Sequence, residues 1–203
     1  IATGGAPVAT GGAPVATGGA PIATGGASSA NNSPIIDAFA TCDDKIENNG
    51  GRSGKWYFFA DTDFNATHAY GDPGTQWADH GCAAWLILGC TGTACTFAGL
   101  GLQLSEGNPY SLSSYAGLSI AFESKDNLYV TVKTSDGGNF GVWMTGGTGN
   151  VTRNVDFSNF AAMANSATTV LNKSLVTEVQ FTIGKTIELD AGFGFAIHSV
   201  SLR

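Results

Sequence analysis

Starting at Ala2 the chain reads ATGGAPV, ATGGAPV, ATGGAPI and ATGGASS, a seven-residue repeat whose fourth copy has decayed. A period of seven suggests a coiled coil, but each copy holds two adjacent glycines and the first three a proline. Such helix breakers, recurring every turn or two, forbid a stable helix. What remains for this segment is an extended strand, a polyproline II-like thread or a flexible tract. None of the 36 residues before Asp37 carries a charged side chain. At Pro34 the composition changes. We therefore divide the chain into an extended tail, residues 1–33, and a β-rich domain, residues 34–203.

The domain has the length of a single folding unit. Its apolar residues alternate. Leu118, Ile120 and Phe122 share one side of a segment, and Leu128, Val130 and Val132 repeat the pattern beyond the Lys125-Asp126-Asn127 turn. Val179, Phe181 and Ile183 alternate in the same way, as do Phe193, Phe195 and Ile197, and Val200 and Leu202 close the chain. This period of two predicts strands with one dry face and one wet face. Dense apolar runs at 55–60, 82–88 and 96–104 read as buried strands, and 61–81 as loop. A modest helical stretch is expected around Phe160–Ala164. Short strands with no long helix predict an all-β fold, an antiparallel β-sandwich of the jelly-roll kind, behind an extended low-complexity tail.

Net charge is −7, which argues against nucleic acid or an anionic membrane as partner. No apolar run approaches the roughly 18 residues of a membrane span. The four cysteines sit among Thr, Ser, Asn and Gly, which suits a secreted, oxidising setting. Cys90 and Cys95 flank a TGTA turn and can close a small loop, which leaves Cys42 to pair with Cys82. Four cysteines nonetheless allow three connectivities. Their spacing does not match paired C-x-x-C zinc knuckles.

The order IIDAF, GGRSGKWYFFADTD, YSLSSYAGLSIAFES with LYVTVKT, VDFSNF, then VTEVQFTI with FGFAIHSVSL resembles a group of secreted bacterial jelly-roll modules. These are related to carbohydrate-binding and galactose-binding-like domains and often follow Thr/Gly/Ala/Pro-rich tracts. The resemblance covers about residues 34–203. It implies two facing sheets, and often sugar binding or a structural calcium. Relatives tend to carry an Ile-Asp-Asp-Val-like strand near that ion. Here the strand reads Ile197-His198-Ser199-Val200, with Asp37 retained at the opening strand. Histidine in place of an acid argues against calcium, because hard cations take oxygen ligands. No other cofactor is expected.

Catalysis finds little support. His68, His80 and His198 have no nucleophile or metal motif beside them. Asp61, Asp63, Asp72 and Asp79 fall in one loop region with His68 and His80, where aspartates ordinarily serve turns. The chain is read as a non-enzyme. For sugar stacking, Trp56, Tyr57, Trp77, Trp85, Tyr110, Tyr115 and Trp143 supply the aromatic side chains; of these Trp56, Trp85 and Trp143 lie in apolar strands and are assigned to the core. Trp77, Tyr110 and Tyr115 lie in loop-like sequence and are the stacking candidates.

The Asn65, Asn150 and Asn172 triplets match the N-x-Ser/Thr acceptor. In the tail, Thr3, Thr10, Thr17 and Thr24 recur beside Pro7, Pro14 and Pro21, a pattern suited to O-linked glycans on Thr or on hydroxylated Pro. The tail also reaches far. As polyproline II it spans roughly 100 Å, against a domain diameter of about 40 Å. Ile1, Val8, Val15 and Ile22 then fall about every 22 Å. Such spaced apolar pegs suit docking into a neighbouring subunit, and a head-to-tail contact that does not close makes a filament. The sequence thus predicts a secreted structural subunit that polymerises with copies of itself and carries covalent glycans. The alternative is a surface-tethered carbohydrate-binding module with a passive linker. Glycosylation predicts an intact mass above the 20.7 kDa of the bare chain. A native mass equal to that value excludes it.

Overall fold

A computed structural model describes residues 33–61, 64–71, 82–90, 96–184 and 193–203, with 64–67, 71, 87–90, 184 and 193 described as backbone. The alternating segments form two antiparallel sheets. In chain order the strands are β1 (Ile35–Asp37), β2 (Trp56–Ala60), β3 (Phe64–Gly71), β4 (Ala83–Cys90), β5 (Phe97–Gln103) and β6 (Gly117–Ser124). They continue with β7 (Leu128–Thr134), β8 (Asn139–Met144), β9 (Gly147–Asp156), β10 (Ala161–Ala162), β11 (Val176–Gly184) and β12 (Phe193–Leu202). The first sheet runs β3-β4-β12-β6-β9, with β1 beside the far half of β12, and the second runs β10-β8-β7-β11-β5-β2. This is the jelly-roll sandwich that the alternation predicts.

The dry faces meet between the sheets. Leu118, Ile120, Phe122, Phe195 and Ile197 pack from the first sheet, and Leu100, Leu102, Val130, Val132, Val179 and Phe181 from the second; all are fully buried. Each contributes about 1.5–3 kcal/mol through removal from water. The inward positions of β12 change parity, from Phe195 and Ile197 to Val200 and Leu202. A bulge between Ile197 and Ser199 makes the switch, with His198 as the extra residue.

Two local expectations are corrected. Residues 64–71, read as loop, form β3, because their backbone pairs with β4 along its whole length. The helix expected near Phe160 is a single 3-10 turn, Phe157–Asn159, followed by β10. Phe157 and Phe160 are both pulled into the core, and Ala161 and Ala162 pair with Gly141 and Phe140, so the backbone bonds of this stretch go to a ladder. The Cys42–Cys82 disulfide is present, with Cα atoms 5.3 Å apart, and ties the segment before β2 to the start of β4. Residues 1–32 and Cys95 lie outside the described residues, and with them the Cys90–Cys95 pair.

Asp37 sits inside this frame, 2% exposed. Its Oδ1 accepts from the Phe39 amide at 2.7 Å and its Oδ2 from Trp56 Nε1 at 2.6 Å. Burial pushes its carboxyl up to about 6, against the pull of those two hydrogen bonds. A raised carboxyl favours folding only while it holds its proton. Between its ordinary value of 3.8 and about 6 the unfolded chain ionises while the native state does not. Stability should therefore fall as pH rises through that window, by about 3 kcal/mol for this group. Urea unfolding at stepped pH should show this loss in the native protein and a flatter profile in Asp37→Asn. Parallel profiles would remove the assignment.

Candidate aromatic binding face

Side chains at alternate positions of the second sheet point away from the core, and the strand register sets them in rows. One row reads Tyr57, Gly101, Gln180, Thr131, Gly141 from β2 to β8. The next reads Phe59, Gly99, Thr182, Tyr129, Trp143. On the other side of the first row stand Gln103, Glu178, Lys133 and Asn139. From β2 to β8 the face crosses four strand spacings, roughly 19 Å.

The glycines shape this surface. A Cβ on Gly101 would clash with the Tyr57 ring, one on Gly141 with the Tyr129 ring, and one on Gly99 with the Phe181 carbonyl and the Phe59 ring. Each ring thus reaches over a residue that has no side chain, into space that a Cβ would fill. Tyr57 and Phe59 have centroids 6.0 Å apart, and Phe97, 42% exposed, continues that cluster at 6.3 Å from Phe59. At the other end Tyr129 and Trp143 lie 4.8 Å apart, with Trp143 59% exposed.

Between the two aromatic ends lies a polar floor. The Tyr57 hydroxyl donates to Glu178 Oε2 at 2.5 Å and accepts from Gln180 Nε2 at 2.7 Å. Lys133 Nζ pairs with Glu178 Oε1 at 2.8 Å. Burial, then the bond to Glu178, raises the Tyr57 hydroxyl well above the usual phenol range, so it stays protonated. On the β8 side the Met163 sulfur lies 3.9 Å from Thr131 Oγ1. Flat aromatic surfaces beside fixed donors and acceptors can stack on the apolar face of a ring and hydrogen-bond its hydroxyls.

Of the stacking candidates singled out from loop-like sequence, Tyr110 and Tyr115 fall elsewhere. Tyr110 is half-buried, its ring 5.7 Å from the Arg52 guanidinium, whose Nη1 donates to its hydroxyl at 3.4 Å. Tyr115 packs half-buried against the core, and its carbonyl accepts from Lys173 Nζ at 2.7 Å. Trp77, Asp63, Asp72, Asp79 and His80 lie outside the described residues, as do Ile1, Val8, Val15, Ile22 and the tail threonines and prolines. Asp61 accepts from the amide and the hydroxyl of Thr96 at the entry to β5, and the His68 ring stacks on Phe58 with centroids 4.4 Å apart. Asn65 lies within β3 and Asn150 within β9. Asn172 is exposed, and its Oδ1 accepts from the amide and the hydroxyl of Ser174.

Trp56 is core, as assigned, and Trp85 packs half-buried against Ala83 and Ala196 on the outer side of the first sheet. The assignment of Trp143 to the core is wrong. Phe140 and Met144 take the inward positions of β8, so position 143 points out. That parity was readable, and so was the outward parity of Tyr57, Phe59 and Tyr129. The glycines that seat these rings face them across strands, and only register reveals them.

No protein-family model matches the sequence, and neither does any curated protein. Among solved structures the chain is similar to the family 11 carbohydrate-binding module from Clostridium thermocellum in complex with a β-1,3-1,4-mixed-linked tetrasaccharide. The TM-score is 0.53 at 15% identity, over 72% of this chain and 87% of that one. It is similar to the family 11 module of the cellulosomal cellulase Lic26A-Cel5E of the same organism, with TM-score 0.53 at 15% identity, over 72% of this chain and 86% of that one. An exo-β-agarase structure aligns with TM-score 0.54 at 12% identity, over 84% of this chain and 25% of the other. At such identity the likeness shows the fold alone.

Gly141→Ala should force Tyr129 off its seat and lower unfolding free energy by about 1–3 kcal/mol in urea. Adding Tyr129→Ala should recover part of that loss, since the two changes share one contact. Strict additivity would mean that the ring does not rest on Gly141.

Proposed function

We propose that this protein is a carbohydrate-binding module that takes a polysaccharide chain on the outer face of the second sheet, with the tail as its tether. The observation that carries the reading is the seating of the Tyr57, Phe59 and Tyr129 rings over Gly101, Gly99 and Gly141. Nothing in the packing of the core requires these rings on the wet side of the sheet. Apolar surface of this kind, rimmed by polar groups, marks a binding surface. Fold similarity to modules that include one solved with a mixed-linked tetrasaccharide supports the same reading.

The aromatic ends lie in a row across the strands, so the chain should cross the strands and touch β2 at one end and β8 at the other. Among the described residues of this face the carboxylate is Glu178, already committed to Lys133 and Tyr57. The arrangement therefore serves binding, and its ligand is an uncharged glycan. The Cys42–Cys82 disulfide supports action in an oxidising, extracellular setting.

Titration calorimetry with soluble mixed-linked β-glucan and a panel of other neutral polysaccharides tests this. At least one should bind, and Trp143→Ala and Tyr129→Ala should each weaken it tenfold or more, about 1.4 kcal/mol. Asn154→Ala, on the opposite sheet, should leave binding unchanged. Binding that survives both aromatic changes, or absence of binding across the panel, would overturn the proposal.

A further inference from the structure

We infer that Met163 is a wall of this binding face and the site at which oxidation weakens it, an inference that rests on the carbohydrate-binding reading. The observation is the burial of Thr131. It points out from β7, between the half-buried Tyr129 and Lys133, yet is only 4% exposed. Its row neighbours are Gln180 and Gly141, and the latter has no side chain to cover it. The Met163 sulfur, 3.9 Å from Thr131 Oγ1, lies over it.

The backbone fixes that position. Ala161 and Ala162 pair with Gly141 and Phe140, and the Met163 amide donates to the Asn139 carbonyl at 2.9 Å. Ser166 N then donates to the Met163 carbonyl at 2.9 Å. The unbranched thioether is thereby held beyond the β8 edge of the face, level with Asn139, and reaches back over Thr131. A thioether there offers a soft apolar edge to a sugar ring.

The chain has two methionines. Met144 is 5% exposed in the core, whereas Met163 is half-exposed. Peroxide should therefore oxidise Met163 selectively. The sulfur gives up two electrons, an S–O bond forms, the peroxide O–O bond breaks and water leaves. The product is a polar sulfoxide and a strong hydrogen-bond acceptor beside the Thr131 hydroxyl. An apolar wall over Thr131 becomes a polar one, and the face loses that edge to the sugar.

The experiment treats the folded full chain with dilute hydrogen peroxide and maps oxygen addition on peptides. Affinity for soluble mixed-linked β-glucan, or for whichever neutral polysaccharide of the panel the protein binds, is then read by calorimetry before and after. Oxygen should appear on Met163 and not on Met144. The dissociation constant should rise about five- to tenfold, and methionine sulfoxide reductase should reverse the rise. In Met163→Leu the constant, whatever its starting value, should be the same before and after peroxide. Unchanged affinity of the oxidised native protein, equal weakening of the leucine variant, or a Met163 that stays unoxidised would each overturn the inference and leave the binding reading intact. A native protein that binds none of the polysaccharides would overturn both.

Discussion

A buried polar contact joins the two layers of the sandwich. Asp37 belongs to β1 in the first sheet, Trp56 to β2 in the second, and the indole N–H donates to the carboxylate at 2.6 Å. The Trp56 ring packs between Phe39, 5.2 Å away, and Phe181, 5.8 Å away. A buried carboxylate without donors would cost several kilocalories per mole. Here both oxygens are bonded, and the residual cost appears as the raised carboxyl. The aromatic wedge thus sets the spacing of the layers, and the hydrogen bond sets its orientation.

That wedge also bears on the opposite face. Trp56 points in, so Tyr57 points out, and Phe59 follows two residues later. β5 answers with glycine at both opposed positions. Alternation that drives Leu100 and Leu102 into the core leaves positions 99 and 101 facing outward, and a side chain there would lift the rings. On the far side, Gly141 does the same for Tyr129. The sheet therefore carries two aromatic ends with a polar floor between them, where Glu178 links Tyr57 to Lys133. The surface and the core are two faces of one pleat, and neither can be changed by a one-residue slip without exchanging them.

The fold was legible because its signal is local. Leu118, Ile120 and Phe122 alternate within one strand, and no partner is needed to see which side is dry. Even the bulge at His198 has a sequence trace, since the inward positions move from odd to even numbers between Ile197 and Val200. The binding face was not legible in the same way. Loop-like aromatics drew attention to Tyr110 and Tyr115, which the structure seats against Arg52 and the core. Trp143 reads as core from its apolar strand, although its parity places it outside.

By itself the sequence determined the class of fold and the antiparallel pairing, because period-two hydrophobicity acts through nearest neighbours along the chain. It also held the cysteines that join as Cys42–Cys82. Only the tertiary structure decided which outward residues stand together. Tyr57 meets Gly101, and Thr131 lies beneath Met163, across strand pairs whose register is set by the packing of the whole core. Contacts at that separation are products of folding, and no spacing along the chain encodes them.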